Sequence, residues 1–245
     1  MTKELSNTIA RWTRIGTGFN VRPARKTPDL ERLILKTAEV LTHEPSLLAL
    51  SVTWLATYPE FVAKHRLAAL VDQSPSFKHH AELGLILSLA RKFADTPAFD
   101  RTIELCKPCN PARPLFEIQR SNPVWKRIAE SEASDLSKRW GLWCQSIELK
   151  EDAIRPADWI IQRNSSFFDR AVLRGDLRLS ILATLRDDPE AGRSELALSQ
   201  ACGAQRTAVR DALLALERAC YVERTEKGNR SEITLSKVIP ATSAA

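Results

Sequence analysis

Two arginines one helical turn apart, Arg206 and Arg210, stand with Gln205 and Thr207 in the last third of this 245-residue chain. Val209, Ala212, Leu213 and Leu216 recur at i, i+3, i+4 and i+7, a single buried stripe of a helix. The polar four face away from that stripe, with no burial reason for the two guanidinium groups. An arginine so placed can bond a guanine edge bidentately, and a threonine at a helix N-terminus can meet phosphate. Just before them Ser194 caps a helix running from Glu195 to Cys202, and Gly203 supplies the sharp turn between the two. Just after them Tyr221–Thr225 and Ser231–Leu235 alternate in polarity around Lys227-Gly228-Asn229-Arg230, the pattern of a β-hairpin.

The other residues capable of chemistry form weaker patterns. Cys106-Lys-Pro-Cys109 is half of a zinc site, and no second Cys-x-x-Cys or His-x3-His completes it. His43, His65, His79 and His80 fall singly or paired on helical segments, where surface or satisfied core positions are the rule. Glu130, Glu132 and Asp135 cluster at a helix start and read as dipole complement. Gly-x-Ser-x-Gly, phosphate-loop, His-Glu-x-x-His and dinucleotide signatures are absent from the sequence. The expectation is a non-enzyme without metal or cofactor. The six tryptophans are read as mostly core, Trp140 and Trp143 sharing a helix face, with an effector pocket as the alternative.

The elements that must hold the arginines are mainly helical. Leu177–Leu185, Glu195–Cys202 and about Gln205–Ala219 are predicted helices, followed by the hairpin: three helices and a wing. Upstream, helices are predicted over about 27–41, 45–58, 59–71, 77–94, 122–128, 133–149 and 156–162. The proline-rich segment 106–114 must be a loop. The fold class expected is mainly α: an all-α domain at 27–170, a bundle or a HEAT-like stack, and a winged helix-turn-helix domain at 171–245.

Charge is unevenly spread. Residues 1–26 hold six Lys or Arg against one acid, while 27–170 balance and 171–245 carry a net of +1. Residues 1–26 are therefore read as a basic arm in which Arg11, Arg14, Arg22, Arg25 and Lys26 could track a nucleic acid or a partner, the alternative being a tail packed on the helical domain. Five scattered cysteines, no long apolar run and no leader pattern give the expectation of a reduced cytoplasmic protein off the membrane.

The stretch from Leu198 to Arg224 resembles the DNA-reading half of GntR-type winged-helix regulators at Leu198, Gly203, Arg206, Thr207, Val209, Arg210, Ala212, Leu213, Leu216, Glu217, Val222, Glu223 and Arg224. The resemblance covers about 60 of the 245 residues. It implies base and phosphate contacts for Arg206, Thr207 and Arg210, and wing contacts for Lys227, Asn229 and Arg230. In that family the module is usually N-terminal; here it comes last. The expected partner is duplex DNA, bound by a homodimer acting as a repressor, with the helical domain supplying dimer or partner contacts. Two other readings are an antitoxin-like or defence-system interaction subunit and a plasmid-type replication or recombination initiator.

Overall fold

Charge hides a helix at the start of the chain. In the computed structural model, which describes residues 2–227 and 230–236 without the side chains of Lys227 and Arg230, α1 spans Lys3–Arg14. Leu5, Ile9 and Trp12, spaced four and three apart, are buried in the main hydrophobic cluster. The Trp12 indole N–H donates to Thr37 Oγ1 at 2.8 Å, so a large ring is buried with its one donor satisfied. Of the two readings of 1–26, the packed one is what the structure has: Trp12 lies in the main cluster and Phe19 packs against it, with a helix in the segment that neither reading expected. Apolar periodicity outweighs charge here, because Arg11, Arg22, Arg25 and Lys26 stay on the outer surface of α1 and the segment after it.

Ten further helices build the body. Asp29 caps α2 (Leu30–Val40) and Glu44 caps α3 (Pro45–Thr57), whose first residue is a proline that needs no N–H there. The helix expected from Pro59 is only a 3-10 turn, Pro59–Phe61. Val62 is extended, and α4 then runs Lys64–Asp72. Next come α5 (His80–Ala94), α6 (Asp100–Leu105), α7 (Glu117–Arg120), α8 (Pro123–Ser131), α9 (Asp135–Arg139), α10 (Ala157–Arg163) and α11 (Ser166–Leu173). Helix α5 is apolar nearly all round and is packed by α2, α3, α6 and α9. Helix α5 is thus the centre around which these helices of the body pack.

The helix expected over 133–149 stops at Arg139. Gly141 there takes a left-handed φ of +66°, and a Cβ on it would lie 2.0 Å from the Cys109 carbonyl oxygen. The close approach lets two-residue strands pair in parallel, β1 (Arg113–Pro114) with β2 (Leu142–Trp143), where only loop and helix were expected. Trp143 therefore leaves the helix face it was expected to share with Trp140.

The C-terminal unit follows in the order α12 (Leu177–Asp187), a 3-10 turn Pro189–Arg193, α13 (Glu195–Cys202), α14 (Arg206–Arg218), β3 (Val222–Lys227) and β4 (Arg230–Leu235). The strands pair antiparallel from Val222 with Leu235 to Lys227 with Arg230. A second hydrophobic cluster ties them together through Leu179, Leu182, Leu198, Val209, Leu213, Leu216, Val222 and Ile233. Gly192 lets the 3-10 turn touch the hairpin, since a Cβ there would lie 2.0 Å from the Ile233 carbonyl oxygen. The expected boundary at 170 falls inside α11, which is shared: Phe167 packs in the main cluster and Leu173 in the second.

The junction is held by ions as well as by apolar contact. Glu31 is fully buried and takes Arg170 through both oxygens (2.7 and 3.0 Å), Arg66 at 2.9 Å and the Ala63 N–H at 2.8 Å. Arg66 also grips Asp29 bidentately at 2.6 and 2.7 Å. At the end of α12, Asp187 approaches the same guanidinium at 3.5 Å. Burial works to raise the Glu31 pKa, but Arg170 and Arg66 outweigh it and hold the carboxyl below its ordinary range. Asp187 has no such surplus of cations: burial, with Asp29 beside it, pushes it up to about 6.

Candidate nucleic-acid interface

The helix–turn–helix geometry depends on one glycine. Gly203 ends α13 in the left-handed region at φ +62°, its N–H donating to the Gln200 carbonyl at 3.0 Å. A side chain there would also meet Ala69 of α4, its Cβ only 2.9 Å away. The turn is therefore seated directly on the helical body. Gln73, the C-cap of α4, donates to the Gln200 carbonyl across the same contact.

After that turn Gln205 stands at the N-cap of α14, exposed and making no capping bond with its side chain. Arg206, Thr207 and Arg210 are exposed too, while Val209, Leu213 and Leu216 are buried beneath them. Ser194 caps α13, its Oγ accepting the Ala197 N–H at 3.1 Å, so only its hydroxyl proton remains for an outside acceptor. Lys227 and Arg230 are the last cross-strand pair of the hairpin. Their side chains, and Asn229 altogether, lie outside the described residues.

A carboxylate that the sequence reading passed over organises the site. Glu195, first residue of α13 and 9% exposed at its side chain, accepts Arg210 at 3.0 Å and Arg206 at 3.4 Å on one oxygen, and Arg224 of β3 at 2.8 Å on the other. Arg224 in turn donates to Glu217 of α14 at 2.6 Å. The two guanidiniums, which have no burial reason to be there, are therefore both tied to one internal carboxylate. It fixes their stems while leaving Arg206 57% and Arg210 52% exposed at the side chain. The Arg210 hydrogen bond, ahead of the opposing effect of burial, holds Glu195 below the usual carboxylate range. Three arginines and two glutamates interlock here, with the exposed Asp211 of α14 also acting on Arg210. The usable sequence signal was the acid next to a helix N-cap, eleven and fifteen residues ahead of the two arginines.

The N-terminal cations do not join this site as a group. Arg14 is committed inside the body, donating to Asn164 Oδ1 at 3.1 Å and to the Arg163 carbonyl at 2.6 Å. Arg11, Arg22, Arg25 and Lys26 are exposed on the body surface. The Cys106 thiol is buried and pushed up to about 12, and Cys109 donates to the Pro111 carbonyl. Among the described residues no three His, Cys, Asp or Glu side chains gather to hold a metal, and no helix is long and apolar enough to cross a membrane.

Comparison of the chain with protein-family models, curated proteins and solved structures returns no match.

Proposed function

We propose that the chain binds duplex DNA sequence-specifically through a C-terminal winged helix and acts as a repressor, as a homodimer whose helical body supplies the contacts between copies. One observation carries the reading: α14 presents Arg206, Thr207 and Arg210 to solvent from a helix clamped behind a left-handed glycine, with both guanidiniums oriented by Glu195. Held in place, an arginine loses less rotamer freedom on bonding a base edge, which favours reading over mere attraction. The hairpin beside α14 would act as the wing, and the start of α13 would face the backbone.

The test is fluorescence anisotropy with DNA from upstream of the protein's own gene against random DNA of equal length, for the wild type and an Arg206→Ala/Arg210→Ala variant. The wild type should prefer its own DNA. The variant should lose roughly 1–3 kcal/mol of discrimination for each base contact removed. Equal binding of both DNAs by the wild type, unchanged in the variant, overturns the reading.

A second reading, an interaction subunit that grips a partner protein, draws on a different observation. Ile118 of α7 and Val124, Trp125 and Ile128 of α8 are large, apolar and exposed together. Co-purification of a stable protein complex that Trp125→Glu abolishes would favour it.

A further inference from the structure

A cavity of about 760 Å³ opens between α5, α6 and α9, on the body and independent of the DNA reading. Its size falls in the range of small-molecule sites. Ile103, Leu136 and the half-buried ring of Trp140 form an apolar floor. The Cys106 thiol completes that wall, and burial keeps it protonated and inert.

The indole is held on two sides. Its N–H donates to Ser88 Oγ at 3.0 Å. On its other side the ring lies against Gly84, where a Cβ would come within 2.3 Å. A glycine in mid-helix costs about 1 kcal/mol against alanine. Here that cost goes with a flat aromatic wall fixed in one orientation.

Around this floor the polar groups are nearly all donors. Lys92 and Arg139 point charge at the cavity without an ion pair to any described carboxylate. Arg91 is paired, to Asp100 at 2.7 Å. Ser88 and Thr96 each accept a hydrogen bond, leaving their hydroxyl protons to give. Asp95 is the one acceptor with charge on the rim. A flat apolar floor under a ring of donors complements a flat apolar body that ends in an anion. We infer that this cavity is a binding site for an aromatic carboxylate, stacked on Trp140 and with its carboxylate between Lys92 and Arg139.

The test uses calorimetric titration of the full chain with 2-naphthoate and with the uncharged 2-naphthalenemethanol. The wild type should bind naphthoate saturably at one site and prefer it to the alcohol. A Lys92→Ala/Arg139→Ala variant, altered only at exposed side chains, should bind naphthoate about tenfold more weakly and lose that preference. Circular dichroism confirms that the variant is folded. No saturable binding by the wild type, equal binding of alcohol and carboxylate, or naphthoate binding unchanged in the double variant each overturns the inference.

Discussion

Two carboxylates in this molecule are each surrounded by arginines, and they do opposite things. Glu31 is fully buried, and its partners Arg66 and Arg170 are 3% and 4% exposed. Every charge in that cluster is spent on another charge or on a backbone group. Glu195 makes the same kind of bonds at similar distances, but two of its three arginines keep more than half of their side chains in solvent. The first cluster fixes the junction between body and C-terminal unit. The second keeps cations in a defined posture where an anion can still reach them. Exposure of the partner, rather than the bond itself, is what separates the two clusters.

The comparison breaks most visibly if Glu31 is not worth more than Glu195. A Glu31→Gln substitution leaves Arg170 buried without a carboxylate. It should destabilise by about 3–5 kcal/mol in urea unfolding, since an unpaired interior charge carries its full desolvation cost. A loss below about 1 kcal/mol would put the two clusters on one footing.

Asp187 sharpens the contrast from within the first cluster. Its pKa is raised, so the folded state favours the protonated form. The stability this confers is fully present below the unfolded value of about 3.8 and disappears as pH rises through about 6. An Asp187→Asn chain should therefore be more stable than wild type at pH 7.5, by up to about 2 kcal/mol. It should also lack the wild-type gain in melting temperature between pH 7.5 and pH 5. Asp29, Glu31 and Glu195 run the other way: their support is present above the ordinary carboxylate range and fails only as pH drops through their lowered values.

The smallest effect on folding is expected at the second cluster. Glu195→Gln should shift urea stability by no more than about 1 kcal/mol, because its arginines are already hydrated. The same variant should lose preference for its own DNA over random DNA as Arg206 and Arg210 are released. Unfolding as severe as that of Glu31→Gln, or full DNA discrimination retained, would contradict the assignment of roles.

Local patterns were readable in the sequence and distant ones were not. The Ser194 cap, the turn at Gly203 and the Val209–Leu216 stripe depend on neighbours within a few residues, and α13 and α14 lie within one residue of where that spacing puts them. Helix α1 had the same kind of signal in Leu5, Ile9 and Trp12, overlooked beside its cations. The end of α9 depends on Gly141 meeting Cys109, thirty-two residues away, which no local window contains. Likewise Glu31 and Arg170 are 139 positions apart. Neither residue announces that it will be buried. Glu195 lies between these cases: its helix was foreseen, but its partners come from a second helix and a strand.

Glu195 also behaves as a tethered counterion. A lone surface arginine gathers mobile anions from the buffer, whereas Arg206, Arg210 and Arg224 share one that cannot diffuse away. With Glu217 included, the three arginines of this hub would bring a single net charge, rather than three, to the phosphate backbone of the proposed DNA partner. Binding to DNA falls with salt by about 0.9 logarithmic units per phosphate neutralised. If the proposed DNA binding holds, such a hub would hold down the share of affinity that comes from charge alone and would be equal for every sequence. What remained would be weighted toward contacts that depend on which base is met.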